Sequence, residues 1–469
     1  MVTSDAIEAP VKPVGLKARV LRAGGWIMGG QAVQQVLRLG TNVIIARLLF
    51  PDAFGLMAVV YMLATALALF SDLGVARSTV LSPRGTDPVF LDTAWTIQFI
   101  RNQCLALAVC VAAGAVAFAR HLGWWKAGTV YADPRLPYLI AAFALVLVLQ
   151  GCESIRIVQA RRQMHMHTLT KIDIGQQVAS AIAMIITAWI WHSIWAIITG
   201  AVVAGVVRCI LSYTLLTGHR NRFHLDRESA RELMGHAKWL ILSSIMGFLA
   251  SNGDRVLLGG LITSREFGLY SIAMIMANVL QNIANSLCNS IVFPALSEVR
   301  RERPHELPKT FERFQWGYDA VVVFPAAVLI TAAPTLIDLI YDPRYHDAGW
   351  MLRVLAIGVI GVRYQVVEVG FMAVEKTKYG AFANLLRLGA LLLGLVVGQH
   401  YWGLMGAVTG VALSQYAAWP LAIWFKKTLN ALSWRAEALL VPAIVGGLVL
   451  GEALSLTLKA LFPHHFQVA

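Results

Sequence analysis

Charge is scarce in this chain: 14% of its 469 residues are Asp, Glu, Lys or Arg, where a soluble domain carries roughly a quarter. That composition excludes an ordinary soluble domain. Cysteine is scarce too, with Cys104, Cys110, Cys152, Cys209 and Cys288 the only five. All fall within apolar stretches and none has metal-ligand spacing, so they read as small buried hydrophobes, without disulfides. Familiar catalytic signatures are missing: there is no GxxxxGK[ST] phosphate loop, no HExxH, no paired CxxC and no GxSxG. No enzyme chemistry, metal site or cofactor is expected. Long outer loops are missing as well; the longest covers about 119–135. A membrane glycosyltransferase would need more room than that outside the membrane. The first 25 residues are polar and lead into a full-length apolar span, so no cleavable leader is expected.

What the chain does have is apolar length. Hydrophobic residues make up 58%, and the mean hydropathy is +0.64. A helix that crosses a bilayer needs about 20 mostly apolar residues. Thirteen stretches qualify: about 26–48, 54–80, 94–118, 136–158, 173–191, 195–216, 239–262, 267–293, 315–340, 349–373, 379–399, 403–425 and 437–458. The expected fold is an all-α, polytopic membrane protein.

The formal charge of +13 invites a nucleic-acid reading, but its distribution argues otherwise. With the N-terminus inside, 23 Lys and Arg fall in inner segments and 6 in outer ones. That is the positive-inside bias of a membrane protein. The basic charge sets topology and meets anionic membrane lipids, and no nucleic-acid partner is expected. His165, His167, His219, His224 and His236 fall in the inner loops and read as solvated.

Two stretches look like copies of one unit. Trp26, Gly40, Leu48 and Phe54-Gly55-Leu56 recur as Trp239, Gly253, Leu261 and Phe267-Gly268-Leu269, always 213 positions on. Internal repeats of membrane helices are a recurrent plan of secondary transporters, with the substrate path where the halves meet. The expected layout is a cytoplasmic segment over 1–25, a six-helix lobe over 26–218, and an inter-lobe loop over 219–236. A second six-helix lobe covers 237–425, an additional helix 436–458, and a tail 459–469. Small residues at Gly394xxxGly398, Gly406xxxGly410 and Gly447xxxGly451 point to close helix packing.

Polar side chains inside the spans carry the functional signal. Gln31, Gln34, Gln35, Arg38 and Asn42 follow an i, i+3, i+4, i+7, i+11 pattern, one face of a helix. Asn278, Gln281, Asn282, Asn285 and Asn289 repeat it. Lipid cannot satisfy these amides, so both stripes should face protein or water. A shared hydrated cavity is one reading; hydrogen bonding between helices of each lobe is the plainer one. Ten basic residues lie in the spans, and all are arginine: Arg38, Arg47, Arg77, Arg101, Arg156, Arg208, Arg255, Arg353, Arg363 and Arg387. Arginine keeps its charge and grips phosphate with two N–H groups. Acidic residues within or beside the spans are fewer, so a cationic surplus inside a cavity points to an anionic substrate. Arg47, Arg77, Arg156, Arg208 and Arg353 lie near span ends, where snorkelling is the plainer reading. Arg156 is spaced to pair with Glu153, three residues away. Arg38 and Arg255 are deeper and on repeat-related spans.

Several segments resemble the oligosaccharide and polysaccharide transporters of the multidrug/oligosaccharidyl-lipid/polysaccharide exporter superfamily. They are the turn Ala46-Arg47-Leu48-Leu49-Phe50-Pro51-Asp52-Ala53-Phe54-Gly55-Leu56, the segment Phe70-Ser71-Asp72-Leu73-Gly74, and Asn252-Gly253-Asp254-Arg255-Val256-Leu257-Leu258-Gly259. Val292-Phe293-Pro294-Ala295-Leu296-Ser297 and Tyr341-Asp342-Pro343-Arg344-Tyr345 follow in order. The resemblance covers about 20–425. It implies two six-helix lobes in a V around a central cavity. The implied activity is flipping of an undecaprenyl-pyrophosphate-linked oligosaccharide across a bacterial inner membrane for exopolysaccharide, capsule or O-antigen synthesis. A polysaccharide polymerase and a chain-length regulator are the implied partners. Relatives often have fourteen helices, against thirteen here. In that frame Arg38 and Arg255, then Arg77 and Arg363, would meet the pyrophosphate. Gln31, Gln35, Asn42, Asn278 and Asn282 would meet sugars, and Asp72 or Asp254 would carry a coupling ion. Two relatives of the same superfamily are the alternatives: a multidrug exporter, which would favour an acidic cavity, and a peptidoglycan-precursor flippase.

The charge pattern fixes a topology test. Alkaline phosphatase fused after Gly128 should be active, and fused after Arg222 inactive; the reverse pattern would invert the topology.

Overall fold

The computed structural model describes residues 16–70, 75, 78–79, 82, 84–163, 165–234, 237–373, 377–428, 432 and 434–463. The described chain is helical almost throughout. The first half holds α1 (Leu16–Leu48), α2 (Pro51–Phe70), α3 (Pro88–His121), α4 (Leu136–Gly151), α5 (Arg156–Arg162), α6 (Met166–Trp191) and α7 (Trp195–Thr214). A connecting helix α8 (Arg227–Met234) follows. The second half holds α9 (Ala237–Leu261), α10 (Ser264–Leu287), α11 (Phe293–Glu302), α12 (Leu307–Tyr318), α13 (Phe324–Ile340), α14 (Ala348–Gly361), α15 (Gln365–Ala373), α16 (Thr377–Ser414) and α17 (Trp419–Thr428). The short α18 (Trp434–Ala438) leads into α19 (Leu440–Leu461).

Among the described residues nine helices are long and apolar enough to cross a membrane, or ten if the bent pair α4 and α5 forms one span. The differences from the thirteen expected spans have local causes. Amides and Arg38 in α1, and Asn252, Asp254 and Arg255 in α9, dilute two repeat-related helices that are otherwise long enough. Lys378–Thr428 counts as one stretch, yet it holds two expected spans. The chain turns inside it at Gly403, whose φ of 58° is open to glycine. A Cβ on Gly394 would lie 3.1 Å from the Gly410 backbone, and one on Gly406 would overlap Gly398. The two GxxxG segments therefore pack backbone on backbone in a helical hairpin. The expected span 136–158 is bent by 62° between α4 and α5. Widened five-residue π turns at Cys288–Val292 and Asp319–Val323 each precede a Phe-Pro pair. Proline cannot donate to the preceding turn and crowds its carbonyl, and a wider turn relieves both problems.

The additional helix is part of the second half. It packs along α13. A Cβ on Gly447 would sit 2.6 Å from Ala327 Cβ, and Thr335 and Ser455 share a buried hydroxyl hydrogen bond of 2.6 Å. The connecting segment between the halves is fastened to the first: His219 meets Asp92 at 2.7 Å, and Ser82 donates to Glu232 at 2.6 Å. His219 was expected to be solvated; a carboxylate at the foot of α3 holds it instead.

The two halves share one apolar core, and α2 of the first packs against α9 and α10 of the second. At the start of α2 and α10 the repeat meets itself. Ser264 and Gly268 stand at the repeat positions of Pro51 and Gly55. A Cβ on Gly55 would lie 2.7 Å from Ser264 O, and a Cβ on Gly268 would overlap Pro51 O. The contact is reciprocal, as an approximate two-fold axis between the halves requires. Thr129 bridges Thr263, and Ser264 N donates to Gly128 O at 3.0 Å. The Tyr131 hydroxyl reaches Val256 O at 3.0 Å, and Tyr345 reaches Leu49 O at 3.0 Å. Arg344 donates to Arg47 O at 3.1 Å and to Asp342 at 2.8 Å. That bond holds the Asp342 carboxyl below the usual carboxylate range. These fasteners all join segments that the charge pattern assigns to one side of the membrane. They form a seal across that end.

Gly268→Val would force α2 from α10 at Pro51. Overpacking of this kind costs about 1–3 kcal/mol. In a cysteine-free background, Ala53→Cys should then react faster with an impermeant maleimide. An unchanged rate would show that the two helices do not close there.

Candidate functional site

The face of α1 that carries the first stripe begins beside a polar cavity. Gln31 and Gln34 line it with Arg161 of α5, Thr170 and Asp173 of α6, and Arg208 of α7. One turn on, Arg38 bonds the side-chain oxygen of Gln35. Asn42 is half-buried a turn further along. In the second half, Arg255 donates to the side-chain oxygen of Asn252 at 3.5 Å. The repeat offset carries Arg255 onto Asn42, four residues from Arg38. The two arginines thus occupy one face of repeat-related helices, a turn apart.

These two differ from the other described arginines of the spans. Arg208 is held by Glu153 at 3.0 Å and Asp173 at 2.6 Å. Arg387 bonds Glu368 at 3.0 Å. Arg101 donates to Ala68 O at 2.8 Å, and Arg353 to Ile330 O at 3.0 Å. Arg47 donates to Ile340 O at 3.4 Å. Arg156 donates to the carbonyls of His219, Tyr213 and Leu216. Arg38 and Arg255 have only amide side chains, and no carboxylate within 4.0 Å among the described residues.

Arg363 is sited quite differently from a cavity residue. It is 0% exposed and grips Asp319 with two bonds, of 2.8 and 2.7 Å. Glu437 of α18 meets the same guanidinium and also Lys426, at 2.6 Å, and the Tyr364 hydroxyl, at 2.8 Å. Two cations and two carboxylates close a neutral quartet. It ties the turns that follow α12 and α14 to α17 and to the lead-in to α19. Arg363 is thus buried against carboxylates rather than placed at a cavity wall among the described residues. The sequence did not single out Glu437: it is the first residue of the span expected over 437–458, and its partners Arg363 and Lys426 lie 74 and 11 residues before it. Sequence spacing paired Glu153 with Arg156; Arg208 takes that carboxylate, because α7 packs against α4 and local spacing is blind to a helix 55 residues away.

The second stripe divides. Asn278 and Gln281 are half-buried, and Asn282 and Asn289 exposed. Asn285 accepts from Gln365 of α15, and Asn289 donates to Asn285 O at 2.9 Å. At Asn285 the plainer reading, a bond between helices, is what the structure has. Asp254 is buried and accepts from the Tyr270 hydroxyl at 2.5 Å, bonding α9 to α10. Asp72 and Arg77 lie outside the described residues. No cluster of metal-ligating side chains occurs among the described residues.

The chain matches the family model described as polysaccharide biosynthesis protein over residues 44–349, more than half its length. It belongs to that family. It is 22% identical over 417 residues to the lipopolysaccharide biosynthesis protein WzxC of Escherichia coli, covering 86% of this chain and 80% of that protein. It is also 22% identical over 284 residues to the succinoglycan biosynthesis transport protein ExoT of Rhizobium meliloti, covering 61% and 55%. The fold is that of solved transporters. An inward-facing multidrug resistance MATE family transporter of the MOP superfamily matches with a TM-score of 0.66 at 14% identity, over 85% of this chain and 95% of that one. The lipid II flippase MurJ, in an inward closed conformation, matches with 0.65 at 11% identity, over 91% and 92%.

Removing one partner from a buried ion pair costs about 3–5 kcal/mol, because the other charge is stranded. Glu437→Ala should therefore lower the melting temperature of the purified protein sharply. An unchanged melting temperature would show that the quartet is not formed.

Proposed function

We propose that this member of the family is a flippase. It moves an undecaprenyl-pyrophosphate-linked oligosaccharide from the cytoplasmic to the periplasmic leaflet of a bacterial inner membrane, for surface polysaccharide synthesis. The observation that carries the reading is the pair Arg38 and Arg255, charged and matched only by amides among the described residues. A charge at mid-bilayer costs from ~3 kcal/mol upward unless water or a partner meets it. Two such charges on repeat-related helices suit a doubly anionic group that comes and goes. A pyrophosphate offers paired oxygens that each guanidinium can grip with two bonds.

The order of events follows from the chain's own residues. The positive-inside pattern argues that the seal around Gly55 and Gly268 faces the periplasm and the amide stripes open to the cytoplasm. The lipid-linked sugar enters sideways from the inner leaflet, with its polyprenyl chain left in lipid. Arg38 and Arg255 hold the pyrophosphate. Gln31, Gln35, Asn42, Asn278 and Asn282 meet sugar hydroxyls. Rocking of the halves breaks the backbone contacts of the seal and exposes the same residues outward. The amide partners Gln35 and Asn252 take the guanidinium donors back on release, which keeps the grip differential between states. Arg363 serves by holding the second half rigid. Asp254, buried against Tyr270, is the acidic group proposed to answer to a coupling proton or cation.

In proteoliposomes, Arg38→Ala and Arg255→Ala should each lower flipping of the lipid-linked unit at least tenfold with the melting temperature unchanged. Lysine at either position should restore only part of the rate, since an ammonium is a point charge. Full activity in the double alanine variant would remove the proposed site.

A further inference from the structure

We infer that the cavity between α1, α5, α6 and α7 is a subsite for one sugar ring of the transported oligosaccharide, distinct from the pyrophosphate contacts. This rests on the flippase reading and adds where the first sugars sit and what recognises them. The cavity measures about 190 Å³. Sites for drug-sized ligands run to about 300–1,000 Å³, so this one suits a single ring rather than a chain.

Its chemistry is that of a polyhydroxylated ligand. Gln31, Gln34, Thr170, Asp173, Arg161 and Arg208 supply amides, a hydroxyl, a carboxylate and guanidinium groups. Such groups donate and accept in pairs, as neighbouring sugar hydroxyls require. Ile157, Met166, Leu169 and Ile172 give an apolar floor for the C–H face of a ring. Charge separates this cavity from a phosphate site. Arg208 is already held by Glu153 and Asp173, and Arg161 brings the four side chains to neutrality. A neutral, hydroxyl-rich ligand fits that balance; a second phosphate does not. Gln35, next along α1, leaves its buried Nε2 without a partner among the described residues.

Position supports the assignment. Along α1, Gln34 and Gln31 lie four and seven residues from Arg38, which is about 6 and 10 Å at ~1.5 Å per residue. A ring one or two linkages from a pyrophosphate at Arg38 reaches the cavity. Gly30 lets α1 and α6 approach closely beside the cavity, because a Cβ there would overlap the Thr170 side chain.

The test is protection of Gln34→Cys from maleimide, in a background with the five native cysteines replaced. Two probes are used: the oligosaccharide released by mild acid from the cells' lipid-linked pool, and inorganic pyrophosphate. Mass action predicts that the oligosaccharide slows labelling about tenfold at ten times its half-protecting concentration, and that pyrophosphate does not. Protection by pyrophosphate alone, or by neither probe, would overturn the subsite. Flipping by the unlabelled parent protein is measured on the same preparation. No flipping would sink the flippase reading itself; flipping without protection would sink only the subsite.

Discussion

An arginine cannot stay charged in hydrocarbon without something to meet it, and that constraint sorts the interior of this protein. Most arginines of the spans are met by the protein: carboxylates hold Arg208, Arg363 and Arg387, and backbone carbonyls hold Arg47, Arg101, Arg156 and Arg353. The carboxylates are also fasteners between helices, so neutralising the charge and assembling each half are one act. Among the described residues, what remains is Arg38 and Arg255, met only by amides. The same rule that makes seven arginines structural makes these two available.

The repeat supplies the second constraint. At Gly55 and Gly268 two copies of one segment pack backbone against backbone. No side chain intervenes, so the join is close without being permanent: it is made of van der Waals contact and a few hydrogen bonds, not of buried charge. Contrast the quartet of Asp319, Arg363, Lys426 and Glu437, which locks α19 to the second half. Among the described residues the buried ion pairs lie within a half, while the halves meet through apolar packing, the close backbone approach at Gly55 and Gly268, and a few hydrogen bonds. That division suits two bodies that rock against each other.

Much of the fold was legible in the sequence. Apolar length gave the helices, and the FGL recurrence marked Gly55 and Gly268 as equivalent positions; that they pack against each other is visible only in the structure. The GxxxG pairs at Gly394 and Gly406 named the faces of a helical hairpin. Charge partners were less legible. Arg363 reads as a cavity arginine on its own helix, because its carboxylates come from positions 44 residues before and 74 after it. Glu153 has a suitable arginine one turn away, yet bonds to another helix. Local spacing records what a helix offers and not what a neighbouring helix takes. The amides of α1 were legible as a stripe. Their cavity was not, since its other walls, Arg161, Asp173 and Arg208, come from three separate helices.

The most direct measurement is the leaflet in which lipid-linked oligosaccharide accumulates in a strain lacking this protein. The account predicts build-up of the complete unit on the cytoplasmic leaflet, relieved by the wild-type chain and not by one carrying both Arg38→Ala and Arg255→Ala. Normal distribution of the lipid-linked unit in the deletion strain, or full relief by the double variant, would contradict it.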